Sequence, residues 1–376
     1  SLKLTRNSGG YRFALGFENN SFSDEQGKLR YFYDGFRLGN AIDYNIVING
    51  DTLNKGIIWQ TYNGALYPIS DASVFIPPLK EDSILLLFHL SLDFVPGIQY
   101  PISPHLFLTR VNMESNNGKG KVISKNEPVF NGTLLPIVLS ACRHSNGEDW
   151  WIICKNYKGP TYYKFLIHKN KLFNSDSQII GNSILDYSTV GNSVFSPDGR
   201  KFVRISNLDG LQIFDFDRCE GVLSNFLEIK NDSFRLSENS LNVNVAISAN
   251  SRFLYASTST KIYQYDLFAS NIQASEVIIG EWDGFIYKNN YTTKFCDLQL
   301  AYDGKIYASC ASGNIYLHVI EKPNLKGKDS DFKLRGITLP TNIACGLGTY
   351  PNYLLGAEKG SVCDSLTFAN NYYSEK

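Results

Sequence analysis

The sequence predicts an all-β protein built from repeated four-stranded antiparallel units. Three observations carry that reading. Aromatic residues reach 14% of the chain, nearly all of them Tyr (23) and Phe (24), which suit pleated, half-buried surfaces. Thirty glycines, with many Asn, Asp and Ser, supply turns, and long stretches of helix formers at helical spacing are missing. A strand–turn–strand–loop–strand pattern recurs along the chain at a fixed spacing.

Three copies of the repeat are clear. The first is Val194-Phe-Ser-Pro-Asp-Gly-Arg-Lys-Phe-Val203 followed by Leu211-Gln-Ile-Phe-Asp-Phe-Asp217. The second is Val245-Ala-Ile-Ser-Ala-Asn-Ser-Arg-Phe-Leu-Tyr255 followed by Lys261-Ile-Tyr-Gln-Tyr-Asp-Leu267. The third is Leu298-Gln-Leu-Ala-Tyr-Asp-Gly-Lys-Ile-Tyr307 followed by Gly313-Asn-Ile-Tyr-Leu-His-Val319. Their turn residues Gly199, Ser251 and Gly304 stand 52 and 53 residues apart. Asp-Gly is a strong hairpin signal because Gly accepts the positive φ of a tight turn. Weaker copies surround Gly27, Asp82 and Gly147, and residues 343–355 could begin a degenerate last one.

One four-stranded sheet cannot bury both of its apolar faces, but sheets stacked around an axis bury both. Units of roughly 45–55 residues repeated several times are the mark of a β-propeller. Turn centres near 27, 82, 147, 199, 251 and 304, plus the unit near 350, predict seven blades in one domain spanning 1–376. Their expected bounds are 18–68, 69–130, 131–185, 186–236, 237–290, 291–336 and 337–368. Residues 11–17 are expected to close the ring as the outer strand of the last blade. Two packed β domains are the alternative, but would leave the regular spacing unexplained.

Lys+Arg and Asp+Glu both number 36, so a nucleic-acid binder working through bulk positive charge is not expected. No apolar run approaches about 18 residues, so no membrane insertion is expected. Residues 1–10 lack the apolar core of a signal peptide, leaving a cytosolic protein or one whose signal has been removed as alternatives. The seven cysteines (142, 154, 219, 296, 310, 345 and 363) leave at least one unpaired. Cys142/Cys154, Cys296/Cys310 and Cys345/Cys363 are 12 to 18 residues apart, as on neighbouring strands. They read as buried thiols, or as disulfides in an oxidising compartment, with Cys345–Cys363 the first pairing expected.

The N-terminal half carries a resemblance. It rests on the stretches 17–35, with Gly27-Lys-Leu-Arg-Tyr-Phe-Tyr33, and Ile48-Asn-Gly-Asp-Thr-Leu-Asn-Lys-Gly56. Ser140-Ala-Cys-Arg-His-Ser-Asn-Gly-Glu-Asp-Trp-Trp-Ile152, Tyr162-Tyr-Lys-Phe165 and Phe195-Ser-Pro-Asp-Gly-Arg-Lys201 complete it. Together they resemble secreted, WD40-like β-propeller proteins of Bacteroidota over roughly residues 17–355. The resemblance implies an extracellular or cell-surface home. Many proteins of that group end in a sorting domain recognised by the type IX secretion system, which makes that machinery an implied partner; no such β-rich tail is seen before Lys376. The resemblance carries no established catalytic residues.

His144, Asn146, Asp149, Trp150 and Trp151 form the densest polar–aromatic cluster and are the candidate binding residues for a sugar or peptide cleft. They also fit a structural use: the two tryptophans alternate faces of a strand, and His144 can bond Asp149 across the turn. The Asp-Gly turns lack the alternating oxygen ligands of a calcium loop. Asn49-Gly-Asp-Thr-Leu-Asn54 is richer in oxygens but reads equally as an exposed loop. The sialidase-type Asp box, Gly-x-Ser-x-Gly elbow, His-Glu-x-x-His and Walker loop are missing, and the five histidines are scattered. No catalytic residue, metal or cofactor is therefore expected. The expected function is a non-catalytic module that binds a protein or glycan at the cell surface through its axial loops. A propeller hydrolase or lyase acting on polysaccharide, and a display module of a larger type IX-secreted protein, are the alternatives.

Overall fold

The computed structural model describes residues 13, 15–62, 65–79, 82–94, 101–183, 190–235, 242–311 and 313–364. They form an all-β, propeller-like arrangement of successive antiparallel sheets. β1 (Asn20–Ser23), β2 (Leu29–Tyr33) and β3 (Leu38–Asn40) make a three-stranded sheet. A single short helix, α1 (Ile57–Tyr62), follows it.

A seven-stranded sheet then runs in chain order through β4 (Ser73–Ile76), β5 (Ile84–Leu90), β6 (Ser103–Asn112), β7 (Lys121–Arg143), β8 (Trp150–Asn156), β9 (Thr161–His168) and β10 (Lys171–Ile179). Its centre is β7, 23 residues long. Lys121 to Leu134 pair with β6, and Leu134 to Arg143 pair with β8. One strand thus ends one four-stranded unit and begins the next.

Three separate four-stranded sheets complete the series. β11 (Gly191–Phe195), β12 (Lys201–Ser206), β13 (Gly210–Asp217) and β14 (Val222–Ile229) form the first. β15 (Asn244–Ile247), β16 (Phe253–Ser257), β17 (Lys261–Asp266) and β18 (Val277–Glu281) form the second. A small ribbon of β19 (Ile286–Tyr287) and β20 (Tyr291–Thr292) leads to the third, made of β21 (Phe295–Leu300), β22 (Ile306–Cys310), β23 (Asn314–Ile320) and β24 (Phe332–Ile343).

The sheets stack because strand alternation gives each two apolar faces. On β8, Trp150 and Ile152 pack toward the preceding unit with Phe88 and Leu106, whereas Trp151 and Ile153 pack toward the following one with Phe202 and Phe214. On β16, Leu254 faces Val203 and Ile213 while Tyr255 faces Phe295 and Ile306. Five apolar clusters of this kind join consecutive units. The first strands of the units pack in succession, β1 on β4, β4 on β7, β7 on β11, β11 on β15 and β15 on β21.

Two expectations about the ring need correction. The turns at 27, 82, 147, 199, 251 and 304 each lie between the first and second strand of a unit, but the described strands form no seventh sheet. Residues 344–364 contain no strand. Of the closing strand expected over 11–17, residues 11, 12 and 14 lie outside the described residues, and 13 and 15–17 have no strand structure. The polar segment 322–331 joins β23 to β24 within one unit.

Candidate functional site

Residues 345–363, which contain no strand, form a strap. It starts at Cys345, bonded to Cys296 on β21, and ends at Cys363, bonded to Cys219 after β13. The expected Cys345–Cys363 bond is therefore corrected: both cysteines are bonded, but to partners 49 and 144 residues away. Cys142, Cys154 and Cys310 are buried free thiols. Burial pushes the Cys142 and Cys310 thiols up to about 12, which leaves them inert as nucleophiles at neutral pH.

The strap enters between the last unit and the first. Gly346 N donates to Gly16 O at 3.1 Å, and Leu347 N donates to Asp297 Oδ2 at 2.6 Å. Tyr350 OH and Ser21 Oγ are 2.8 Å apart. It then runs from β4 to the β11–β12 turn. Thr349 Oγ1 donates to Asp71 Oδ1 (2.6 Å), Tyr353 OH to Phe75 O (3.0 Å) and Asn352 Nδ2 to Pro197 O (2.8 Å). Beyond the axis Glu358 N donates to Ser145 O (2.8 Å), and Arg218 Nη2 donates to Gly356 O (2.6 Å).

Beneath the strap lies a cavity of about 270 Å³ along the axis. The first strands supply its wall, including Ser140, Ser193, Val194, Ile247 and Leu298. Thr349, Tyr350 and Pro351 of the strap form part of its boundary. Among the described residues, Asp71 is the single carboxyl side chain in this lining, and no Lys, Arg or His contributes to it. Tyr302 and Leu354, 77% and 76% exposed, also line it and mark where it meets solvent.

Acidic groups gather where the strap meets the first unit and β21. Glu18 is buried; its Oε2 accepts from Ala72 N at 2.8 Å and its Oε1 from the Ser73 hydroxyl. Desolvation pushes its carboxyl up to about 8. Asp71 and Asp297 are raised by the same cause, and the charge of Asp71 adds to the rise of both other acids.

The five residues singled out from the sequence are brought together, three in the β7–β8 turn and the two tryptophans at the start of β8, and all are buried. His144 N donates to Asp149 O at 2.8 Å, and Asn146 Nδ2 donates to Asp149 Oδ2 at 2.8 Å. His144 Nε2 lies 3.0 Å from Cys219 O, and Trp151 Nε1 donates to Arg218 O at 2.8 Å. Trp150 packs edge-on to Tyr353 and carries the Arg143 guanidinium 4.4 Å above its ring. The cluster ties two units to each other and to the strap. Sequence reading missed Asp71 and Thr349; Asp71 is one acid among 36, and only the path of the strap sets it apart.

No known protein family matches the sequence, and no curated protein matches it. Solved structures do resemble it. A chain of the mitotic checkpoint complex is 10% identical, covering 93% of this chain and 90% of that one with a TM-score of 0.46. A Bacteroides uniformis protein described as a candidate 6-phosphogluconolactonase is 12% identical (87% and 97% covered, TM-score 0.43). A gluconolactonase of Xanthomonas campestris is 9% identical (79% and 84% covered, TM-score 0.39). Likeness at this level says nothing about activity.

Proposed function

We propose that this chain is a non-catalytic binding module of an oxidising, extracytoplasmic compartment that engages a protein or glycan at its strapped axial face. The observation that carries the reading is the make-up of the axial cavity, where Asp71 is the single carboxyl side chain that the described residues bring to the lining. Polysaccharide cleavage in its usual form takes two carboxyl groups about 5–10 Å apart across the scissile bond. The two disulfides support the compartment, because such bonds persist where thiols are not kept reduced.

We also infer a ring closed by six units and the strap. Leu347 N donates to Asp297 in the kind of contact that joins β1 to β4, β7 to β11, β11 to β15 and β15 to β21, so the strap fills the sector where a seventh sheet was expected. The test is a panel of glycans and peptides screened for binding and for turnover with the oxidised protein. Saturable binding without hydrolysis is expected. Hydrolysis of any member at an enzymatic rate overturns the reading.

A further inference from the structure

We propose that the axial cavity receives one large apolar side chain projecting from a partner protein. The inference rests on the binding reading above and deepens it, choosing between protein and glycan and naming the part of the partner that enters.

The wall leaves a polar ligand little to bond. Ser140 Oγ lies 2.7 Å from Ser193 Oγ, and the Asn192 side chain bonds both N and O of Val245. Gln299 Nε2 donates to Leu300 O at 2.8 Å, Asn352 Nδ2 donates to Pro197 O at 2.8 Å, and Tyr350 OH lies 2.8 Å from Ser21 Oγ. Asp71 accepts from Thr349 and from Ser70, and burial favours its neutral form. Of the polar side chains in the lining, Tyr302 alone has no hydrogen-bond partner among the described residues, and it stands at the mouth. A sugar entering here would give up hydrogen bonds to water without replacing them. An apolar group gives up none and meets Val194, Ile247, Leu298 and Leu300.

Size and rim narrow the occupant further. An apolar cavity of about 150 Å³ already holds a benzene ring. At about 270 Å³ the axial cavity takes a group the size of a Leu, Phe or Trp side chain. Tyr302 in the β21–β22 turn and Leu354 of the strap stand at its mouth, 77% and 76% exposed. A free small molecule inside the cavity would leave both of them in water. A protein surface surrounding an inserted side chain covers them, which is the arrangement of a binding hot spot: an anchor in a pocket, ringed by contacts that exclude water.

The experiment selects a displayed library of random short peptides on the immobilised, oxidised full chain and measures the tightest peptide by calorimetry. The selected peptides should share one large apolar residue, and replacing it with serine should weaken binding at least tenfold, about 1.4 kcal/mol. Two variants locate the contact. Ala249 is exposed and lines the cavity, so Ala249→Trp should obstruct the mouth and abolish binding. The double variant Tyr302→Ser/Leu354→Ser changes exposed positions only and should weaken the peptide several-fold. Enrichment of no peptide, equal binding without the apolar residue, or binding unchanged by either variant overturns the proposal. A glycan bound without turnover by a protein that enriches no peptide would sink this inference alone; turnover would sink the broader reading.

Discussion

Asn192 and Val245 exchange two hydrogen bonds across the boundary between adjacent units. Asn192 Nδ2 donates to Val245 O at 3.1 Å, and Val245 N donates to Asn192 Oδ1 at 2.9 Å. The contact belongs to a series. Asn20 donates to Ser73 O, Ser140 Oγ to Ser193 O, Leu298 N to Asn244 Oδ1, and Leu347 N to Asp297 Oδ2. Apolar packing holds the sheets face to face without direction; these polar stitches fix the heights of the first strands they join. Asn192→Ala should therefore destabilise the protein by about 2–4 kcal/mol, since both a backbone donor and an acceptor lose their partners in a buried place. Asn244→Ala, which removes one such bond, should cost less. Urea unfolding of the two variants checks the order, and equal losses would count against the stitch.

The stitch was legible in the sequence before its meaning was. Ser140, Asn192, Asn244 and Asp297 each precede their turn residue, Gly147, Gly199, Ser251 and Gly304, by seven positions. A polar side chain recurring on an otherwise apolar first strand is the signal. The turns themselves could be read because positive φ is a local demand that Gly meets: Gly199 and Gly304 have φ of +74° and +79°, and Ser251 adopts +59° in the same place. The strap was not legible. Its course is fixed by contacts between residues far apart in the chain, such as Tyr350 with Ser21, 329 residues away, and local spacing says nothing about those. Pairing Cys345 with Cys363 followed proximity in sequence, whereas the fold bonds them to cysteines of two different units. The candidate cluster at His144–Trp151 was found as a cluster, but composition alone cannot distinguish a cleft from a buried tie between sheets.

Disulfide mapping tests the strap directly. Non-reducing proteolysis and mass spectrometry should recover Cys219 linked to Cys363 and Cys296 linked to Cys345. The double variant Cys219→Ser/Cys363→Ser should lose about 2–5 kcal/mol of stability, given the 144-residue separation that the bond closes. It should also speed hydrogen exchange at the Glu358 amide, which bonds Ser145 O. A Cys345–Cys363 peptide would refute the strap's course.

Two buried groups give opposite pH dependences. The Glu18 carboxyl titrates near 8 when folded, against 4.5 as its ordinary value. The folded state therefore holds its proton more tightly than the unfolded state, so the contribution is full below pH 4.5 and is lost as pH rises through 8. Lys155 runs the other way. Burial, assisted by the charge of Arg204, lowers its ammonium to about 7 from 10.5. Its contribution is present above 10.5 and is lost as pH falls through 7. His89 and His318, lowered by burial to about 3 and about 4, add a loss on acidification below their ordinary 6.5. Difference curves separate these terms. Stability of wild type relative to Glu18→Gln should fall with pH between 4.5 and 8, and relative to Lys155→Met should rise between 7 and 10.5. A flat difference curve in either window would remove that assignment.

Gly199 and Gly304 occupy the same place in two copies of the repeat, yet the strap treats them differently. A Cβ at Gly304 would meet nothing within 4 Å. A Cβ at Gly199 would lie 2.7 Å from Arg218 Cδ and 2.9 Å from both Cys142 Sγ and Leu355 Cδ2. Arg218 is the residue whose guanidinium holds Gly356 O of the strap, so the bare glycine leaves room for that side chain to reach across. Both Gly→Ala variants place an alanine at positive φ, which costs about 1 kcal/mol or more. Gly304→Ala should stop there. Gly199→Ala should lose a further 1–3 kcal/mol, roughly the cost of overpacking, and should loosen the far half of the strap by displacing Arg218. Thermal unfolding gives the first comparison, and hydrogen exchange at Glu358 gives the second. Equal melting temperatures with an unchanged Glu358 amide would mean that Arg218 does not anchor the strap.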